Sequence, residues 1–282
     1  EVIIPAPYWV SYAEQVKIAE GRNVVIYAGI ENEFKITPEQ LKEAISEKTR
    51  ALLLCSPSNP TGSIYSREEL EALAEVLREH PSIMVISDEI YEHINFVGSH
   101  TSIAELPGMK ERTIVVNGVS KAYAMTGWRI GYIGAPLWVS KACNKLQGQV
   151  TSGATTIAQM AAIEALEGDQ QPVREMRKAF LRRRDLVVTH LKSIPGVKCL
   201  VPDGAFYVFP DMSSFYGSVT GNYKINSSMD LCLYLLEQGE IATVPGEAFG
   251  APDNIRISYA NSDENLEKAM QRLKDALSRL DP

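Results

Sequence analysis

The strongest constraint on this chain is an alternation. Short runs rich in Val, Ile and Leu recur at Val2–Ile4, Asn23–Tyr27, Ala51–Cys55, Ile83–Ser87, Thr113–Asn117 and Ile130–Ala135, with helical periodicity between them. Apolar runs of this kind suit strands buried on both faces, and strands alternating with helices imply a mostly parallel sheet. The helices have readable starts. Thr37-Pro38-Glu39-Gln40 offers a capping Thr, a Pro at the first helical position and a Gln placed for a capping box. Ser66-Arg67-Glu68-Glu69 repeats that logic, and Leu70, Leu73, Ala74 and Leu77 then share one helical face.

The pattern changes in the second half. The spacing of Met176, Phe180, Leu186, Val187 and Leu191 predicts one long helix over residues 172–193, with Arg182-Arg183-Arg184 on a solvated face. Strand candidates follow at Val197–Val201, Ala205–Pro210, Ile241–Val244 and Ile255–Tyr259. Helices are predicted over 227–238 and from a capping Ser262 to the end. The fold class is therefore α/β. A large unit over 1–185, with helices on both faces of its sheet, is expected to join a smaller α+β unit over 186–282 through the long helix. The 282 residues fit two linked domains better than one.

Composition narrows the partners. A net charge of -7 disfavours nucleic acid and anionic membrane surfaces, and no apolar run is long enough to span a bilayer. Cys55, Cys143, Cys199 and Cys232 are scattered and have no His beside them, so neither a metal site nor a disulfide framework is expected. A reducing compartment, cytoplasm or plastid stroma, suits them. The chain opens on Glu1-Val2-Ile3-Ile4-Pro5, a strand entering a loop, which sets the expectation of further residues before Glu1.

Ligands of open α/β sheets bind beyond the carboxyl ends of the strands. Three strand candidates run into polar residues there. Ala51–Cys55 leads into Ser56-Pro57-Ser58-Asn59-Pro60-Thr61-Gly62, whose prolines and glycine present Asn59 on a stiff turn. Ile83–Ser87 leads into Asp88-Glu89-Ile90-Tyr91. A carboxylate after an apolar strand is costly without a positive partner, and Tyr91 is spaced to face the same cavity. Thr113–Asn117 leads into Gly118-Val119-Ser120-Lys121 and on to Gly127-Trp128-Arg129-Ile130-Gly131. A lysine among small and apolar residues is shifted toward its neutral, nucleophilic form, the state that a Schiff-base lysine needs. Taken singly, each has a plain structural reading: a turn, a helix cap, a packed aromatic.

Together, and in this order, the three segments resemble the signatures of class I/II aminotransferases of pyridoxal phosphate fold type I. The similarity runs from Pro5 to the C-terminus. The resemblance implies roles. Lys121 would hold pyridoxal 5'-phosphate and move the proton at the substrate Cα. Asp88 would keep the pyridine nitrogen protonated, and Tyr91 and Asn59 would hydrogen-bond the phenolic oxygen. Arg129 would clamp the phosphate. Trp9 matches the aromatic stacked on the pyridine, and Arg256, alternating out of an apolar strand, matches the arginine that binds the substrate α-carboxylate. Gly118 departs from relatives that place a phosphate-binding hydroxyl there, and Ser120 is the substitute candidate.

Three runs narrow the resemblance to bacterial-type aspartate aminotransferases, and among these to plastid and bacterial enzymes that also use prephenate. They are Pro5–Tyr12, Ala124–Arg129 and Lys145–Gln149. The implied function is amino-group transfer between aspartate or glutamate and 2-oxoglutarate, oxaloacetate or prephenate by ping-pong kinetics. Small amino and oxo acids would be the partners, with a homodimer sharing its active sites. The segment 149–154, which faces the partner subunit in relatives, contains no Arg, so no arginine there reads the distal carboxylate. In the family, residues before Glu1 complete the large unit, so these 282 residues alone are expected to catalyse poorly. A lyase or decarboxylase of the same fold and a non-enzymatic effector-sensing domain are the alternative readings.

Overall fold

The computed structural model of the chain describes residues 1–280. Six strands form the main sheet: β1 (Val2–Ala6), β2 (Asn23–Tyr27), β3 (Ala51–Cys55), β4 (Met84–Asp88), β5 (Thr113–Gly118) and β6 (Gly131–Gly134). Their order is β2-β1-β3-β4-β5-β6; every pair is parallel except β5 with β6. Alternate residues point to opposite faces. Ile3, Leu52, Leu54 and Val85 join one core with helices α2 (Pro38–Ala44) and α3 (Arg67–Arg78), whereas Ile4 and Leu53 join another with Tyr12 and Val16. The latter two lie on α1 (Ser11–Ile18). The sheet is thus covered on both faces, as its apolar strands require.

Both predicted capping boxes form. Thr37 with Gln40 opens α2, and Ser66 with Glu69 opens α3. Leu70, Leu73, Ala74 and Leu77 of α3 are all buried. After β6 come α4 (Leu137–Val150), α5 (Thr156–Glu167) and the long helix α6 (Gln171–Lys192). From Phe180 onward α6 packs against a second core. That core is built on β7 (Tyr207–Val208), a hairpin β8 (Val219–Thr220) and β9 (Tyr223–Lys224), α7 (Ser228–Gly239), β10 (Val244–Pro245), β11 (Ile255–Ser258) and α8 (Asp263–Leu277). Strands β10-β11-β7 form an antiparallel sheet. Ser262 caps α8 as predicted. Residues 281–282, which the sequence reading included in the small unit, lie outside the described residues.

One strand expectation fails. Val197–Val201 is not a strand; its sole bridge joins Lys198 to Asp211. The segment leaves a left-handed Gly196 (φ 86°) and ends at Pro202, and its pairing does not extend beyond that bridge. The other small-unit strands are shorter than their apolar runs: Ala205–Pro210 contributes two residues to β7.

Candidate active site

The carboxyl ends of β3, β4 and β5 lie side by side, with Cys55 opposite Asp88 and Asp88 opposite Val116. Because β6 runs the other way, its first residue, Gly131, sits opposite Gly118 at the same edge. A cavity of about 600 Å³ opens there. Its lining includes every residue that the sequence singled out: Trp9, Asn59, Asp88, Tyr91, Ser120, Lys121, Arg129 and Arg256.

Lys121 is half-buried. Its Nζ lies 5.9 Å from the ring centres of both Tyr91 and Phe206. Burial, reinforced by the Arg256 and Arg129 cations and opposed by Asp88, holds its amine below the ordinary lysine range. Asp88 accepts from the Tyr12 hydroxyl at 2.5 Å and from the Ile90 amide at 3.2 Å, both neutral donors. Burial raises its carboxyl, and those two bonds oppose the rise. A buried carboxylate so placed suits a cationic N–H partner from a ligand.

The strand end that carries Asp88 is braced from behind. Glu89, 3% exposed, accepts from Ser87 and Ser102 and meets His100 at 2.8 Å. Glu92 lies close enough to this pair to share a metal ion, a grouping the linear spacing did not show. Glu89 is already well supplied with partners, so the cluster reads as a structural network.

Arg129 follows a single turn of 3-10 helix, Thr126–Trp128, and has a left-handed backbone (φ 55°). Such a conformation is uncommon for a non-glycine residue and is typical of functional turns. Its Nη1 donates to the Thr126 carbonyl at 2.8 Å. Ser120 and Thr126 add hydroxyls to the same end of the cavity. Gly118 has no room for a side chain: a Cβ would lie 2.8 Å from the Ile130 oxygen.

Opposite this floor, the small unit delivers Arg256 from β11. Gly62 (φ 71°) permits the approach. Its carbonyl accepts from the amides of Asp203 and Gly204, and a Cβ at Gly62 would fall 2.6 Å from the Gly204 oxygen. Arg256 Nη1 donates to Asn59 Oδ1 at 2.9 Å, while its buried Nε has no protein partner. A half-buried guanidinium at a cavity, with N–H groups beyond the one given to Asn59, suits a carboxylate ligand. Its carbon lies 4.6 Å from the Tyr207 ring centre and 5.0 Å from that of Phe249.

Tyr12 and Tyr207 were not assigned roles from sequence. Tyr12 was legible: three residues after Trp9, at the start of a helix, it shares that side and packs edge-on against the Trp9 ring at 5.4 Å. Tyr207 carried no such signal, because its place depends on a strand of two residues.

The sequence profile of aminotransferase class I and II matches residues 1–273. The chain belongs to that family. Curated relatives in it include a bifunctional aspartate aminotransferase and glutamate/aspartate-prephenate aminotransferase from Petunia hybrida, 51% identical over 287 aligned positions. That alignment takes in all of this chain and 60% of the petunia protein, so the chain spans about three-fifths of that relative's length. An aspartate/prephenate aminotransferase from Nitrosomonas europaea is 48% identical, with 99% of this chain and 71% of that protein aligned. The crystal structure of the aspartate aminotransferase from Rhizobium meliloti superimposes with a TM-score of 0.96 at 46% identity, covering 99% of this chain and 71% of that one. For an aminotransferase of this class, the fold agrees with the fold type I expectation.

Proposed function

We propose that the protein is a pyridoxal-phosphate-dependent aminotransferase that exchanges amino groups between aspartate or glutamate and a 2-oxo acid, with prephenate among the acceptors. One observation carries the reading: a single cavity gathers a lysine held toward its neutral form, a buried carboxylate served only by neutral donors, and an arginine with an unpaired buried Nε.

The residues fit the cofactor. Lys121 would bond its aldehyde carbon, Asp88 would face its ring nitrogen, Tyr91 and Asn59 its phenolic oxygen, and Arg129 with Ser120 its phosphate. When bound, pyridoxal phosphate supplies a conjugated ring that accepts the electron pair left at Cα when a proton departs. The Lys121 amine would be the base that takes the proton from the substrate Cα and the acid that delivers it to the carbon across the imine nitrogen. Asp88 holds a proton on the ring nitrogen, which increases the ring's capacity for that electron pair. Tyr91 donates to the phenolic oxygen. Arg256 would receive the α-carboxylate through its free donors and so orient Cα for the Lys121 amine. Trp9 covers one ring face.

We also propose a homodimer. The supporting observation is a set of exposed apolar side chains on α4 and α5, among them Leu137, Leu146, Ile157 and Met160. The units 1–185 and 186–282 are proposed as the two domains, with α6 spanning the junction.

The test uses the full natural polypeptide loaded with pyridoxal phosphate. Wild type should convert aspartate and 2-oxoglutarate to oxaloacetate and glutamate, and Lys121→Ala should lower that rate by at least about a thousandfold. Retained turnover in the variant would overturn the assignment. An acceptor panel that includes prephenate decides the finer substrate reading: no amination of prephenate removes it.

A further inference from the structure

Tyr207 touches both halves of the site. It is 6% exposed and lines the cavity. Its hydroxyl lies 3.1 Å from that of Tyr91, which is 3% exposed. Its ring lies against the Arg256 guanidinium, with Phe249 also packed on that group. The backbone around it is tied to the large unit: Ala205 N donates to the Ile94 oxygen at 2.8 Å and Phe96 N to the Asp203 oxygen at 2.7 Å. Tyr207 therefore cannot shift without disturbing the segment that carries Tyr91.

We infer that Tyr207 is a positioning residue with two separable duties: its hydroxyl donates to Tyr91 and so aims the Tyr91 proton into the cavity, and its ring holds the Arg256 fork in the plane that receives a carboxylate. The direction of the phenol–phenol bond follows from acidity. Burial raises both hydroxyls and Cys55 adds to the rise at both, but the Arg256 cation opposes it at Tyr207, whereas Asp88 adds to it at Tyr91. Between two neutral phenols the stronger acid is the better donor, so Tyr207 donates and Tyr91 accepts. Tyr91, its oxygen already bonded, keeps its own proton for an acceptor in the cavity. Charge on that acceptor is stabilised better when the donor is itself a hydrogen-bond acceptor. The Tyr207 and Phe249 rings packed on the guanidinium also restrict its movement, which lowers the ordering cost of binding a carboxylate.

The inference rests on the proposed cofactor and substrate reading. Its test uses the full natural polypeptide with two variants. Tyr207→Phe keeps the ring and loses the hydroxyl; Tyr207→Leu loses both. The first readout is the pH midpoint of the bound cofactor's visible absorbance. A weaker donor at the phenolic oxygen leaves more negative charge there, which holds a nearby proton more tightly. The midpoint should therefore rise in Tyr207→Phe, by about threefold in proton affinity. The second readout is the dissociation constant of succinate, a dicarboxylate with no amine to react. It should stay near wild type in Tyr207→Phe and weaken by about fivefold in Tyr207→Leu. A wild-type midpoint in Tyr207→Phe, at unchanged thermal stability, overturns the hydroxyl duty. Wild-type succinate binding in Tyr207→Leu overturns the ring duty. Wild type that takes up no pyridoxal phosphate overturns the underlying reading as well; normal uptake with unmoved variants overturns this inference alone.

Discussion

Single residues decide the chemistry, and several are intelligible only through what surrounds them. Lys121 owes its lowered amine first to burial and then to two arginines, which come to the cavity from β11 and from the turn after Trp128. Gly118 shows the same dependence. From sequence it is a departure, a glycine where relatives place a hydroxyl. In the structure it faces Gly131 across β5 and β6, and an added Cβ would meet the Ile130 oxygen at 2.8 Å and the Gly131 Cα at 3.0 Å. Backbone atoms of a sheet yield poorly, so Gly118→Ser should cost about 1–3 kcal/mol of stability and should not tighten pyridoxal phosphate binding. Thermal unfolding and cofactor titration check this; an unchanged melting temperature with tighter binding would show that the strands can part. Lys121, Asp88, Arg129 and Arg256 were legible as residues of one cavity because each stands next to a strand or turn whose own sequence is unambiguous. Tyr207 was not, because its neighbours Tyr91 and Arg256 are distant in the chain and nothing local marks it.

At the scale of elements, the long helix is held by its arginines. Arg182 and Arg183, read from sequence as a solvated face, donate through their Nε atoms to the two oxygens of Asp263 at 2.7 and 2.8 Å. That carboxyl lies in the first turn of α8, so the contact ties α6 to α8 and complements the helix dipole. The two arginines hold its pKa down from 3.8 to about 2. Since the folded value lies below the unfolded one, the contribution to stability is complete above the ordinary carboxylate range and is lost as pH falls through about 2. Asp263→Asn should therefore melt earlier than wild type at neutral pH, and the difference should shrink as the solution is acidified. A gap that is constant across the acid range would show that the charge is not what matters. Element boundaries were most legible in the parallel part of the main sheet: β2 and β3 lie where their apolar runs end. They were least legible in the small sheet, where Val197–Val201 is as apolar as a strand yet finds only one partner residue. Strand formation depends on a neighbour, and neighbours there come from distant parts of the chain.

At the scale of the whole molecule, the cavity and the exposed surface make one argument. Asp88, Tyr12 and Trp9 line the active-site cavity and also a second one of about 460 Å³, walled by Val2, Val16, Leu53, Ile86 and Val116. Asp88 thus borders two cavities. Nearby, apolar side chains stand in solvent: Leu137 is 68% exposed, Val150 71% and Ile157 73%, with Trp138, Leu146 and Met160 beside them in α4 and α5. The outer edge of β6 is also open, all four of its residues being exposed. A lone soluble monomer rarely presents so much contiguous apolar surface, and an uncovered strand edge invites further pairing. The 282-residue chain, expressed as it stands, should therefore run larger than its 31.1 kDa monomer on size exclusion and bind a hydrophobic dye. Replacing Leu146 and Ile157 with Glu should reduce both effects. A dye-silent monomer would refute this view of the α4–α5 face.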